Sequence, residues 1–224
     1  MTGAWNRLQD HLDLALTGPR VGRRVAGVLL FALVLWWLYV PLHELAHAGG
    51  CVSCGGTVER MTLAPMYGGR VAARYFDWID SDTPYAGQLT DFTTGESDLC
   101  YLWLVLLPYL ATPLARPLFR RAARKRSAAA LAGGLLLAFV PLMSIPGDFY
   151  EAASIVVTDV AGGAVADAEA LRSDDLAALV ETLLAPGAET PAVAWVMVAV
   201  AALLGTVGAL AFTAWALPPL PRKT

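Results

Sequence analysis

Four stretches of this 224-residue chain contain no Asp, Glu, Lys or Arg: Val25–Leu42, Leu99–Ala115, Ser127–Gly147 and Thr190–Pro221, of 18, 17, 21 and 32 residues. A helix needs about 20 mostly apolar residues to cross the roughly 30 Å hydrocarbon core of a bilayer. The stretches therefore predict an α-helical polytopic membrane protein with about four transmembrane helices. Composition agrees, with 57% hydrophobic and 16% charged residues where a soluble domain carries about 25% charged residues. A net charge of −3, with no basic face interleaved with aromatics, argues against nucleic acid as a partner.

The placement of charge sets an orientation. Residues 1–24 hold four Arg, 120–126 five basic residues and 217–224 two, whereas 50–98 hold three Arg and 158–191 only one. Counting Lys and Arg alone, the positive-inside rule places both termini and the Arg120–Arg126 loop in the cytoplasm of a multi-pass cell-membrane protein. Arg outnumbers Lys 14 to 2 in an Ala- and Gly-rich chain, a bias that points to a GC-rich bacterial genome.

Four regions follow. Residues 1–24 carry Trp5, Leu8, Leu12 and Leu16 at helical spacing and predict an amphipathic helix lying on the cytoplasmic interface, with His11 solvated. Residues 25–157 form a core of three spans with a β segment after the first. The apolar run from Val25 to about Ala48 exceeds the usual h-region of a signal peptide, so it reads as an uncleaved first span, interrupted at Pro41. Gly55–Pro65 and Gly68–Phe76 read as two strands around a Met66–Gly69 turn, and Asp77–Asp98 as an acidic outside loop. Pro108, Pro113 and Pro117 break up the second span, and Arg116 at its inner end snorkels to the headgroups. Residues 158–191 form an acidic extracytoplasmic loop with one helix, Asp174–Leu184, capped by Ser173. Residues 192–224 supply the fourth span and a short basic tail.

Of the 19 acidic residues, only Glu44, Asp148 and Glu151 lie within the apolar spans or at their ends. Ionisable groups at that depth cost roughly 2.5–3.5 kcal/mol each on insertion scales and mark function by default. Glu44 sits in His43-Glu44-Leu45-Ala46-His47. Histidines at i and i+4 share a helix face and can reach one tetrahedral metal, while the intervening glutamate can act as general base on a metal-bound water. A catalytic zinc usually takes a third protein ligand. From Arg24 to His43 is about 28 Å of helix and from Arg126 to Asp148 about 33 Å, so Asp148 reaches nearly the depth of the histidines from the same side. The Pro146-Gly147 break could aim its carboxylate at the metal, with Glu151, one turn on, supporting the site or ligating instead.

Cys51-Val-Ser-Cys54 follows directly, and Cys100 opens the second span. A C-x-x-C pair can bind metal, exchange disulfides or close a tight disulfide, and outside the cytoplasm a Cys51–Cys54 disulfide is the favoured chemistry.

With these residues in place, the sequence resembles the site-2 protease family of membrane-embedded zinc metalloproteases. The resemblance covers about residues 25–157 and rests on the His43–His47 motif ending a hydrophobic span, the glycine-rich β segment after it, and Asp148 in a later span after a Pro-Gly break. It implies Zn2+ on His43, His47 and Asp148, Glu44 as the base, and a membrane-anchored peptide or protein as substrate. Two features depart from the family. The order here is Pro146-Gly147-Asp148-Phe149 where the family has Asp-Gly, and the charge count puts the site near the outer face where family members commonly place it near the cytoplasm. Tyr39, Tyr150 and Arg70 lie near the motif in sequence, but none is identifiable as an oxyanion donor. Two other readings use the same residues: a metal site serving structure or regulation without proteolysis, and a metal-ion transporter.

Overall fold

The computed structural model describes residues 2–18, 20–95, 97–161 and 168–219. It is mostly helical, with one small sheet. Val21–Ser53, Asp98–Lys125 and Ala192–Ala216 are each long and apolar enough to cross a membrane, and Ala128–Met143 with Asp148–Ala161, bent by 43°, makes a fourth span if the pair is taken as one.

The amphipathic N-terminal segment is helix α1 (Thr2–Leu16). Its apolar face does not lie free: Leu8 is buried with Ala115, Phe119, Leu131 and Ala216. His11, expected to be solvated, is 1% exposed; its ring packs 5.1 Å from that of Phe119 and its Nε2 lies 2.8 Å from the Pro218 carbonyl oxygen. The polar stripe of α1 is thus partly an internal contact.

Helix α2 (Val21–Ser53) has 33 residues, about 50 Å of helix, and outruns the expected span. Pro41 lies inside it without interrupting it. Its buried positions begin only at Val40 and end at Cys51, so the first half presents apolar side chains outward while the second half enters the protein. Strand β1 (Thr57–Leu63) follows as expected. The second predicted strand does not form: Gly68 turns the chain at φ 89°, and Gly69–Ala72 is the short helix α3. The amides of Ala72 and Ala73 bond back to the carbonyls of Gly68 and Gly69, which closes a helical turn. The partners of β1 come instead from the segment expected to be loop, β2 (Ile79–Asp80) in parallel and β3 (Gly87–Thr93) antiparallel, with Leu63 opposite Gly87. The order is β2-β1-β3, which leaves β3 at an edge.

The second span runs as α4 (Asp98–Leu106), a 3-10 stretch Leu107–Leu114 and α5 (Ala115–Lys125). Pro108 and Pro113 break it up as anticipated, whereas Pro117 sits in the first turn of α5 without interrupting it. The Arg-rich segment is therefore the last two turns of a helix and not a loop; only Arg126, in the left-handed region at φ 48°, turns the chain. Buried Phe119 and Ala122 hold one face of α5 on the core while Arg120, Arg121 and Arg124 are exposed. Helix α6 (Ala128–Met143) runs beside α2, and Gly133 and Gly134 admit Leu118 and Phe119 close to its backbone. Helix α7 (Asp148–Ala161) follows, after a turn holding Pro146-Gly147. In the acidic segment the helix is α8 (Leu176–Leu183), and its cap is Asp175, which accepts from the amides of Ala177 and Ala178 at 3.0 Å. Ser173 instead accepts from the Asp175 amide, tightening the turn before it. Arg172 ties this segment to α4 through a two-pronged pair with Asp98 at 2.6 and 3.0 Å. Helix α9 (Ala192–Ala216) packs on α6 and α7. The tail cations Arg222 and Lys223 lie outside the described residues.

Candidate metal centre

His43 and His47 project from one face of α2 towards the start of α7. His43 Nε2 lies 3.0 Å from Asp148 Oδ2 and 3.1 Å from His47 Nε2, and His47 Nε2 lies 3.6 Å from the same carboxylate oxygen. These three residues form a group that could hold a metal ion, all three ligand atoms lying within 4.8 Å of one another. Donors about 2.0–2.1 Å from a tetrahedral ion stand about 3.4 Å apart, so the three spacings match one small ion.

The opposite ring nitrogens are also engaged. His47 Nδ1 donates to the Leu104 carbonyl oxygen at 2.9 Å and His43 Nδ1 meets the Tyr39 hydroxyl at 2.7 Å. The Leu104 carbonyl can only accept, so the His47 proton is held on Nδ1 and its Nε2 lone pair is free for a metal; the Tyr39 hydroxyl orients the His43 ring. Glycine makes the Leu104 contact reachable: a Cβ on Gly50 would sit 2.6 Å from Leu104 Cα, so α4 can press against α2 only at a glycine. Asp148 Oδ2 in turn accepts from the buried Tyr109 hydroxyl. The bent α6–α7 junction thus does what the Pro146-Gly147 break suggested, carrying a carboxylate from the start of one helix onto the histidine face of another.

Glu44 stands between the histidines, 8% exposed. Its carboxylate makes no hydrogen bond among the described residues and borders a cavity of about 400 Å³. The cavity is also lined by Gly87, Gln88 and Phe92 of β3, by Glu151 of α7 and by Asp174 before α8. A Cβ on Gly87 would lie 2.5 Å from Glu44 Cγ, so the edge strand comes this close only because its first residue has no side chain. Glu151 is not one of the three grouped residues; its Oε1 accepts from the Tyr101 hydroxyl at 2.6 Å in the cavity wall. Gln88 Nε2 donates to Asp174 Oδ2 at 2.7 Å across the mouth. Burial pushes the Asp174 carboxyl above its usual range, and the Gln88 hydrogen bond works the other way.

The Cys51–Cys54 pairing is corrected. Cys54 is bonded to Cys100, with Cα atoms 5.7 Å apart, and Cys51 is free and buried. Cys51 points under the sheet, its thiol 3.4 Å from the Thr93 carbonyl oxygen, while Cys54, just past the end of α2, faces the first turn of α4. The disulfide closes a loop around the whole sheet. Tyr150 and Arg70 lie elsewhere: the Tyr150 hydroxyl donates to the Leu171 carbonyl, and Arg70 is exposed on α3.

Sequence reasoning missed Tyr109, Leu104, Gln88 and Asp174. Tyr39 had a signal, since it precedes His43 by one helical turn. Leu104 acts through its backbone, and Tyr109 follows Pro108 in an apolar run, so neither announces itself. No protein-family model, curated protein or solved structure matches this chain.

Proposed function

We propose that this chain is a membrane-embedded zinc endopeptidase of the site-2 protease kind, hydrolysing membrane-anchored peptides or proteins at a cavity that opens on the extracytoplasmic side. The reading is carried by one observation: His43, His47 and Asp148 converge on a single point with the Glu44 carboxylate beside them at the cavity wall. Two imidazole nitrogens and one carboxylate oxygen are a catalytic zinc donor set, one short of four.

Bound zinc supplies Lewis-acid polarisation of the scissile carbonyl and lowers the pKa of a water. Glu44 takes a proton from the attacking water as the new C–O bond forms, and passes it to the amide nitrogen as the C–N bond breaks. Leu104 keeps the His47 proton on Nδ1, Tyr39 orients the His43 ring, and Tyr109 steadies Asp148 Oδ2. The free edge of β3, with Gly87, Gln88 and Phe92 on the cavity, suits a substrate held in extended form by main-chain hydrogen bonds.

The orientation draws on two independent features. The sheet and cavity lie at the end of α2 away from its Arg-rich start, where the positive-inside rule places the exterior. The Cys54–Cys100 disulfide is at that same end, and disulfides persist in oxidising compartments. A site serving structure alone has no use for Glu44. A transport path would continue inward, where Tyr109, Val140, Phe149 and Ala209 are instead buried against one another.

Chelator-treated protein in detergent, incubated with a set of transmembrane peptides, tests the reading by mass spectrometry. Cleavage that disappears on chelation and returns with stoichiometric Zn2+ is expected; cleavage indifferent to chelation contradicts it.

A further inference from the structure

Below Tyr109, on the outer face of the molecule, an apolar groove of about 380 Å³ runs between the 3-10 stretch and α9, lined by Leu110, Pro113, Ala211, Phe212 and Trp215. At its inner rim the Arg116 guanidinium lies 5.7 Å from the centre of the Trp215 ring. Arg116 Nε is buried and has no hydrogen-bond partner among the described residues. Arg7 Nε is also buried and unpartnered, and Arg7 Nη2 donates to the Ala214 carbonyl of α9 at 3.0 Å. A buried donor left unpaired is costly, so the Arg116 guanidinium calls for an acceptor.

One turn further along α5 a second hollow of about 420 Å³ begins, lined by Pro117, Arg120, Arg121, Arg124 and Lys125. None of these cations, nor Arg116, is ion-paired among the described residues; the Arg pairs are Arg60–Asp91 and Arg172–Asp98. Arg116, Arg120 and Arg124 recur every fourth residue and so share a face of α5. The surface thus passes from an apolar groove between two membrane-spanning helices to a row of unpaired guanidiniums, with no carboxylate along the way.

We propose that this surface is a binding site for an anionic phospholipid, with one acyl chain in the groove and the phosphate on Arg116 and Arg120. Both the apolar lining of the groove and the sign of charge fit that occupant. A free phosphate would leave the groove unfilled, and a zwitterionic lipid would bring a choline to the arginines. Arg116 and Arg120 on the phosphate, with Arg124 one turn further along, give a preference for the anionic lipid of more than about tenfold.

The test is native mass spectrometry of the full chain released from nanodiscs of equal parts phosphatidylglycerol and phosphatidylcholine. The protein is expected to retain phosphatidylglycerol over phosphatidylcholine by more than about tenfold. The exposed-residue variant Arg120→Gln/Arg124→Gln should lose most of that preference and the triple variant with Arg116→Gln all of it. Ala211→Phe, which fills the groove and leaves the charge alone, should lower total retention. Equal retention of the two lipids, an unchanged preference in the charge variants, or displacement by millimolar inorganic phosphate would overturn the proposal. None of these readouts involves peptide cleavage, so the outcome is independent of the protease reading.

Discussion

Tyr109 shows how a residue without a motif enters a candidate metal site. Its hydroxyl donates to the carboxylate oxygen of Asp148 that faces both histidines, so it fixes which way that oxygen points. Partners of this kind typically contribute ten- to a hundredfold in metal affinity. Tyr109→Phe is therefore expected to weaken zinc binding by about that factor while leaving the fold intact, which competition against a fluorescent chelator would measure; unchanged affinity would show that Asp148 holds its position unaided. At this scale the sequence was informative where chemistry is unusual for its surroundings. His43, Glu44, His47 and Asp148 stood out because charge at membrane depth is costly. Cys51 and Cys54 misled because adjacency along the chain suggested pairing, whereas the end of α2 turns Cys54 towards α4 and leaves Cys51 beneath the sheet.

Between elements, the cavity mouth is bridged by the Gln88–Asp174 hydrogen bond, which joins β3 to the turn before α8. Burial holds the Asp174 carboxyl above its usual range. The folded state is then penalised for its charge at neutral pH, and the penalty fades as pH falls through the raised value. Asp174→Asn should accordingly raise the Tm by a few degrees at about pH 8 and confer no gain at about pH 4. A gain independent of pH would mean that charge burial is not the cause. The helices were readable from their charge-free lengths. The sheet was only half readable: alternation marked β1, but the Gly68-Gly69 stretch folded back as α3 because its amides find carbonyls within the same turn. The β3 strand, bearing Asp91 and preceded by a run of acidic and turn residues, resembled a solvated loop until paired.

Across the whole molecule, α1, the Arg-rich end of α5 and the last turn of α9 gather at one end, while the sheet, disulfide and cavity gather at the other. The proposed outward-facing site rests on charge and disulfide together. In sealed cells, Asp82→Cys on the sheet side should react with a membrane-impermeant maleimide, and Arg121→Cys only after lysis; the reverse pattern would turn the site to the cytoplasm. The charge asymmetry was visible in the sequence, but the cavity was not, since it needs β3, α7 and the turn before α8 brought against α2. The proposed role of Glu44, driving hydrolysis beside a metal held by His43, His47 and Asp148, has a direct measurement. Glu44→Gln keeps the shape of the side chain and removes its basicity. Metal content and cleavage of a transmembrane peptide, measured on the same preparation, should give one zinc per chain and turnover reduced by about 10²-fold or more. Full zinc with undiminished turnover would contradict the account.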